Sequence, residues 1–354
     1  MQRDSSIDLL KGIAIWGIII CHASSVIDGV NATVYQICRL GQLGCQFFFF
    51  FTGYLMFFSK TEKKPYFKYM GDKIKGIIIP WYIMIFLYVV IMLLVDLMNM
   101  ECSYETNTNW IAIIVNCLFL NGIIPFANNN VVLGGWYIGT LVIIWAIFPL
   151  ISWFYKKLGI KILYIGIFSC VFIMVLMGIL LGQSYIARNG FMYFSFVNQL
   201  PCVLYGMIYA CNEKKGGHSV KSDVLRLCLL IPSLFVLFYM DIPFNAVIYP
   251  VVMCKIVGII WRITKSFYRE DNKGAIAKYL VSSGRNSLYL YLTHVIVVWY
   301  IQDIIWKLFL KPNTIDPTLA FFVLGLLWFF VVPLFAKLLK IVVAMLSNTI
   351  SKKI

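Results

Sequence analysis

Ten apolar runs, each close to the thickness of a bilayer, constrain this chain more than any other feature. They cover 8–28, 41–58, 76–98, 134–154, 159–182, 190–211, 225–240, 243–264, 286–306 and 318–345. Hydrocarbon offers no water to a bare N–H or C=O, so a spanning segment is either a helix of about 20 residues or a strand of a closed barrel. The runs show no alternation of period two, which selects helices. Composition agrees, because 61% of the 354 residues are hydrophobic and 13% are charged. A soluble surface needs about a quarter of its residues charged. The expected fold class is an all-α polytopic integral membrane protein with about ten transmembrane helices. A disordered chain, a secreted disulfide scaffold and an ordinary cytoplasmic enzyme are excluded.

One further apolar stretch, Trp110 to Phe126, is broken by Asn116, Asn121, Gly122 and Pro125. It reads as a short re-entrant or interfacial helix. The basic residues favour that reading over an eleventh span. With ten spans and a cytoplasmic N-terminus, 25 of the 30 Lys and Arg fall on the cytoplasmic side and 4 outside, with Lys255 inside a span. Such asymmetry sets orientation, so both termini are expected in the cytoplasm. The net charge of +15 is then mainly a topology signal, and no nucleic-acid partner is expected. Polar segments 59–75 and 265–284 are too short for a soluble domain. Residues 1–354 are therefore read as a single membrane-embedded domain with no appended soluble domain. The N-terminus is not expected to be a cleaved signal, because Asp4 and Asp8 interrupt its basic region and His22 its apolar run. Ten cysteines without a C-x-x-C pair give no metal or redox signature, and no metal is expected. Cys38 and Cys102 fall in outer segments, so a bridge between them stays open. Walker, dinucleotide and G-x-S-x-G patterns are absent from the sequence.

Ionisable groups inside spans are costly and mark candidate sites. Lys11 and His22 are eleven residues apart, which places them on one helix face roughly 16 Å apart along the axis. Asp8 lies one turn before Lys11 and is expected to pair with it. The first helix thus presents a cation at its inner end and an imidazole past the midplane. An anionic donor anchored at one would reach the other. Lys11 also reads as a snorkelling lysine, and His22 as a buried hydrogen-bonding residue. In the ninth run, Ser287, Tyr291 and His294 share a stripe, with His294 about 14 Å deep. His294 either faces the same cavity as His22 or makes a helix–helix hydrogen bond. Lys255 either snorkels or lines a cavity. The Phe47–Phe51 run reads as lipid or core packing. Trp136 and Tyr137 read as an aromatic belt or as part of a site.

At these residues the chain resembles a known family. Arg3-x4-Asp8-Leu9-Leu10-Lys11-Gly12, followed by His22, resembles the opening of the membrane acyltransferase 3 family, whose first helix carries Arg, ten residues and His. Here Lys11 stands in place of that Arg and keeps the charge without the bidentate fork. Phe50-Phe51-Thr52-Gly53-Tyr54-Leu55, Lys73-Ile74-Lys75 with Pro80, Gly135-Trp136-Tyr137-Ile138 through Pro149-Leu150, and Ser283 to His294 are similar to later family stretches, in the expected order. Leu141 stands where many members carry Glu. The resemblance implies an O-acyltransferase, most simply an O-acetyltransferase of an envelope polysaccharide, oligosaccharide or glycolipid, in a bacterial cytoplasmic membrane.

It implies acetyl-CoA as acyl donor, with its phosphates held by Lys11, Lys73, Lys75 and Arg285. His22 would be general base or transient acyl carrier, and Lys11 and Asp8 join it as catalytic candidates. Tyr54, Trp136, Tyr291 and His294 are the candidates to touch substrate. Segment 99–133 carries no Lys or Arg but includes Asn128, Asn129 and Asn130, which suits a neutral sugar. The alternatives are a transporter or flippase of a lipid-linked glycan, or a non-catalytic membrane partner.

Overall fold

The computed structural model describes residues 4–59, 64–97, 110–123, 131–181, 191–213, 220–240, 244–268 and 274–351. Among these residues there is no strand, and nine helices are long and apolar enough to cross a bilayer. The helices are α1 Ser5–Val26, α2 Ala32–Arg39, α3 Gly44–Phe57, α4 Tyr66–Leu97, α5 Trp110–Cys117, α6 Trp136–Leu158 and α7 Lys161–Leu181. They continue as α8 Phe196–Glu213, α9 Val220–Tyr239, α10 Asn245–Phe267, α11 Ala275–Arg285, α12 Ser287–Leu310 and α13 Pro317–Ser351. A 3-10 turn, Leu40–Leu43, joins α2 and α3 into one span.

In their described residues all ten apolar runs form helices over most of their length, but α8 falls short of the apolarity of a lipid-facing span. It carries buried Asn198 and Gln199. The reason is position: α8 sits in the core against α3 and α7, so protein rather than lipid surrounds it. Gly53 and Gly206 permit this approach. A Cβ on Gly53 would lie 1.9 Å from the Val203 carbonyl oxygen, and one on Gly206 would lie 2.1 Å from that of Phe50. Small residues that let helix backbones touch are a main source of packing in lipid. Phe49, Phe50 and Phe51 are buried in this contact, so the phenylalanine run is core.

The stretch after Trp110 packs into the bundle against α4 and α6. Helix α5 has 8 residues and ends against the middle of α4. There the Trp81 indole donates to the Asn116 carbonyl at 2.9 Å, and the Tyr82 hydroxyl to that of Cys117 at 2.9 Å. Trp81 stands 15 residues after Tyr66 and 16 before Leu97, halfway along α4. A Cβ on Gly135 would lie 2.6 Å from the same indole, so α6 also begins at mid-bundle. The Asn121 side chain donates to the Gly135 carbonyl at 2.7 Å and closes the loop. Trp136 and Tyr137 are therefore buried and are not an aromatic belt.

Charge collects at the face where α1 begins. There Arg285 meets Asp8 at 3.2 Å, Arg262 meets Asp223 at 2.6 Å and Lys265 meets Glu213 at 2.8 Å. Within segment 265–284, read from sequence only as a polar connection, helix α11 packs antiparallel along the first half of α1. A Cβ on Gly12 would lie 1.9 Å from the Leu280 carbonyl oxygen, and one on Gly284 would lie 1.8 Å from that of Asp8. The Trp16 indole donates to the Ser283 hydroxyl at 3.1 Å. These contacts seat the inner half of α1.

Candidate active site

Helix α1 carries Lys11 and His22 on one face, and α12 packs beside it with its own stripe of Ser287, Tyr291 and His294. The two histidines meet: their ring centroids are 5.4 Å apart at an interplanar angle of 34°. Trp299 covers the other side of His22, edge to face at 5.4 Å. Trp299 lies in a π-helical turn, Ile296–Ile301, that begins two residues after His294. Such turns shift the register of a helix and often occur at functional sites. Deeper along the interface, Gln302 ties three helices together. Its amide donates to the Ala23 carbonyl at 2.7 Å, and its oxygen accepts from the Trp328 indole at 2.5 Å. The backbone beside His22 is thereby fixed to α12 and α13.

His294 is fully buried and is held by its Nδ1, 2.6 Å from the Tyr291 carbonyl oxygen. Its Nε2 is buried without a hydrogen-bond partner among the described residues. An unsatisfied buried polar atom costs about 1–3 kcal/mol, which a fold tolerates most readily where the atom has a task. His22 is only half-buried, so it is the member of the pair more open to an incoming group.

A cavity of about 310 Å³ lies nearer the basic end of the same interface. Lys11, Ser287 and Tyr291 line it together with Thr52, Tyr137 and Leu141. Tyr291 belongs to both regions. Its ring packs 5.1 Å from Tyr137 and 5.6 Å from His294, and its hydroxyl donates to the Gly134 carbonyl. The result is a continuous file: a cationic cavity, a tyrosine pair, His294 and His22. Lys73 borders the file with its ammonium 5.8 Å from the ring of Trp145, another wall of the cavity. Lys75 is exposed and immediately precedes the lining residues Gly76 and Ile77. Among the described residues no cluster of His, Cys, Asp and Glu is arranged to hold a metal.

Other expected site residues lie elsewhere. Asp8 accepts from the Arg285 guanidinium at 3.2 Å. The Tyr54 hydroxyl donates to Glu213 at 2.6 Å while its ring packs on Trp261 at 4.5 Å. That residue belongs to the charged cluster under the basic face. Trp136 is buried against Phe194 at 5.0 Å and Tyr193 at 5.4 Å. Helical spacing gave the face of each helix, but not which neighbour would cover it. Conversely, Tyr137, Trp299 and Gln302 gain their places only from tertiary contact. The notable departure Leu141 proves to be a cavity wall, so the position where many family members carry Glu faces Lys11 across the same space.

The profile of a family described as Acyltransferase domain matches residues 4–337, nearly the whole chain. No curated protein and no solved structure matches it. The match begins at the foot of α1 and ends within α13, so it takes in every residue of the file from Lys11 to His294. This chain belongs to the acyltransferase 3 family of membrane proteins.

Proposed function

We propose that the protein is a membrane-embedded O-acetyltransferase that moves an acetyl group from acetyl-CoA to a hydroxyl of an envelope polysaccharide, oligosaccharide or glycolipid. Membership of the family supports acyl transfer. The observation that carries the finer reading is the file joining the Lys11 cavity to the His22–His294 pair through Tyr291. A coenzyme A ester has an anionic head and a long neutral arm ending in a thioester. A cation in the wall of the cavity and an imidazole at the far end of the file suit that shape.

In this reading Lys11, with Lys73 and Lys75 at the rim, attracts the phosphates of the donor. His22 accepts the proton of the acceptor hydroxyl as its oxygen attacks the thioester carbon. The new C–O bond forms, the C–S bond breaks, and the thiolate leaves with the sulfur electron pair. The proton then passes from His22 to the thiolate. A hydroxyl is a poor nucleophile at neutral pH, and positioned proton transfer contributes typically 10²–10⁴-fold. His294, fixed at Nδ1, holds the ring opposite His22 in a set orientation. The basic face is cytoplasmic in this reading, the membrane is a bacterial inner membrane, and the acceptor arrives from the far side.

The test is acetyl transfer by purified protein in nanodiscs, supplied with labelled acetyl-CoA and a panel of neutral glycans. Labelled glycan that disappears with His22→Ala is the expected result. Transfer that survives His22→Ala would sink the role given to His22. Glycan translocation without labelling would instead restore the transporter alternative, which the family match does not support.

A further inference from the structure

A second cavity lies on the other flank of the bundle, away from the His22 file. At about 440 Å³ it is larger than the Lys11 cavity. Helices α7, α8, α9 and α10 wall it, and three of its lining residues are cations: Arg226, Lys255 and Arg262. Lys255 and Arg262 are seven residues apart on α10, hence on one face and roughly 10 Å apart along the axis. The slot therefore carries positive charge from the level of Arg262 to about two turns further along α10 at Lys255.

That charge is only partly neutralised. Arg262 is paired with Asp223 through two hydrogen bonds of 2.8 and 2.6 Å, and Arg226 approaches the same carboxylate at 3.9 Å. Lys255 has no ion pair among the described residues. One buried carboxylate thus faces three cations, leaving two positive charges in a slot otherwise lined by uncharged side chains. A lone charge at membrane depth is costly unless a counter-charge meets it. Below Arg262, whose guanidinium sits 5.0 Å over its ring, Tyr209 is buried with a hydroxyl that has no hydrogen-bond partner among the described residues. Tyr209 and the two cations thus line the same slot.

The slot opens sideways. Its outer walls, α7 and α9, are the least buried spans, with Tyr164 50%, Phe168 71% and Leu229 68% exposed. A soluble anion has no use for such a flank, whereas an amphiphile can place a phosphate among the cations and its chains on the exposed apolar ridge. We propose that this slot binds the phosphate headgroup of an anionic membrane lipid, with Lys255, Arg226 and the Tyr209 hydroxyl as its ligands. This site is independent of the acyl-transfer reading.

The test uses the full chain in nanodiscs of phosphatidylcholine with and without phosphatidylglycerol, read by native mass spectrometry and by thermal unfolding. Retained phosphatidylglycerol and a higher unfolding temperature than in phosphatidylcholine alone are expected. Lys255→Met keeps the apolar stem and removes the charge, so it is suited to fold in lipid. It should lower phosphatidylglycerol retention at least about fivefold, since each basic residue near an anionic lipid surface contributes about 1 kcal/mol. Arg226→Gln should lower it further. Equal retention by wild type and Lys255→Met overturns the site. Stabilisation by inorganic phosphate equal to that by phosphatidylglycerol overturns the lipid as its source.

Discussion

His22 and His294 stand ring to ring, 5.4 Å apart, across the seam between α1 and α12. One ring is half-buried and the other fully buried. In the proposed acetyl transfer the more open ring would meet the acceptor hydroxyl and the closed ring would orient it. Removing His22 as His22→Ala is expected to lower kcat about 10²-fold or more. The unfolding temperature should change little, because the ring fills no sealed core. Labelled-acetyl transfer and thermal unfolding measured on one preparation check both halves.

His294 is expected to act through orientation. His294→Asn keeps a donor near the position of Nδ1 for the Tyr291 carbonyl oxygen but removes the ring that faces His22. A fall in kcat of about tenfold is expected with the KM for acetyl-CoA unchanged. A rise in KM equal to the fall in kcat/KM would show instead that the residue belongs to donor binding.

Lys11 should act on the donor alone. Lys11→Ala removes the ammonium from the cavity wall and is expected to raise the KM for acetyl-CoA about tenfold. Lys11→Arg restores the charge and adds a fork suited to phosphate, so it should bring KM back to or below the wild-type value. The wild-type KM should also rise with salt, since the attraction is electrostatic. Steady-state kinetics over a range of acetyl-CoA and sodium chloride concentrations decide the matter.

The seat of α1 is tight enough to be broken by one methyl group. A Cβ on Gly284 would lie 1.8 Å from the Asp8 carbonyl oxygen, which is backbone and has little room to yield. Gly284→Ala is expected to destabilise the protein by about 1–3 kcal/mol. Transfer should fall with it, because the shift displaces Lys11. An unchanged unfolding temperature would mean that α11 does not pack against α1 as described.

Asp8 and Arg285 offer a cycle. The Asp8 side chain is 6% exposed and that of Arg285 is 47% exposed. Arg285→Ala leaves a mostly buried carboxylate without its guanidinium and should cost about 1–2 kcal/mol. Adding Asp8→Asn in that background should recover most of the loss, because a neutral amide is cheaper to bury. Chemical unfolding of the two single variants and the double variant measures the coupling.

Much of this molecule was legible from its sequence because lipid is an unforgiving solvent. The apolar runs had to be helices, and scarce ionisable residues within them had to be accommodated. That reasoning singled out Lys11, His22, Lys255 and His294 before any contact was known. The break at Asn116, Asn121 and Gly122 likewise marked a segment unable to face lipid along its whole length, and it turns back at Trp81.

Helical spacing places a residue on a face, but it is silent on what covers that face. Tyr54 and Trp136 share the aromatic character of Tyr291, yet neighbours chosen by packing turn them into a charged-cluster ligand and a core residue. Asp8 found Arg285 only because α11 folds back along α1. The sequence alone determined a helical membrane protein, the depth of its charged residues and its family resemblance. Only the tertiary structure decided that α1 and α12 adjoin, and with them His22 and His294. Solvation acts on each segment separately, whereas the pairing of segments depends on side-chain fit between residues distant in the chain.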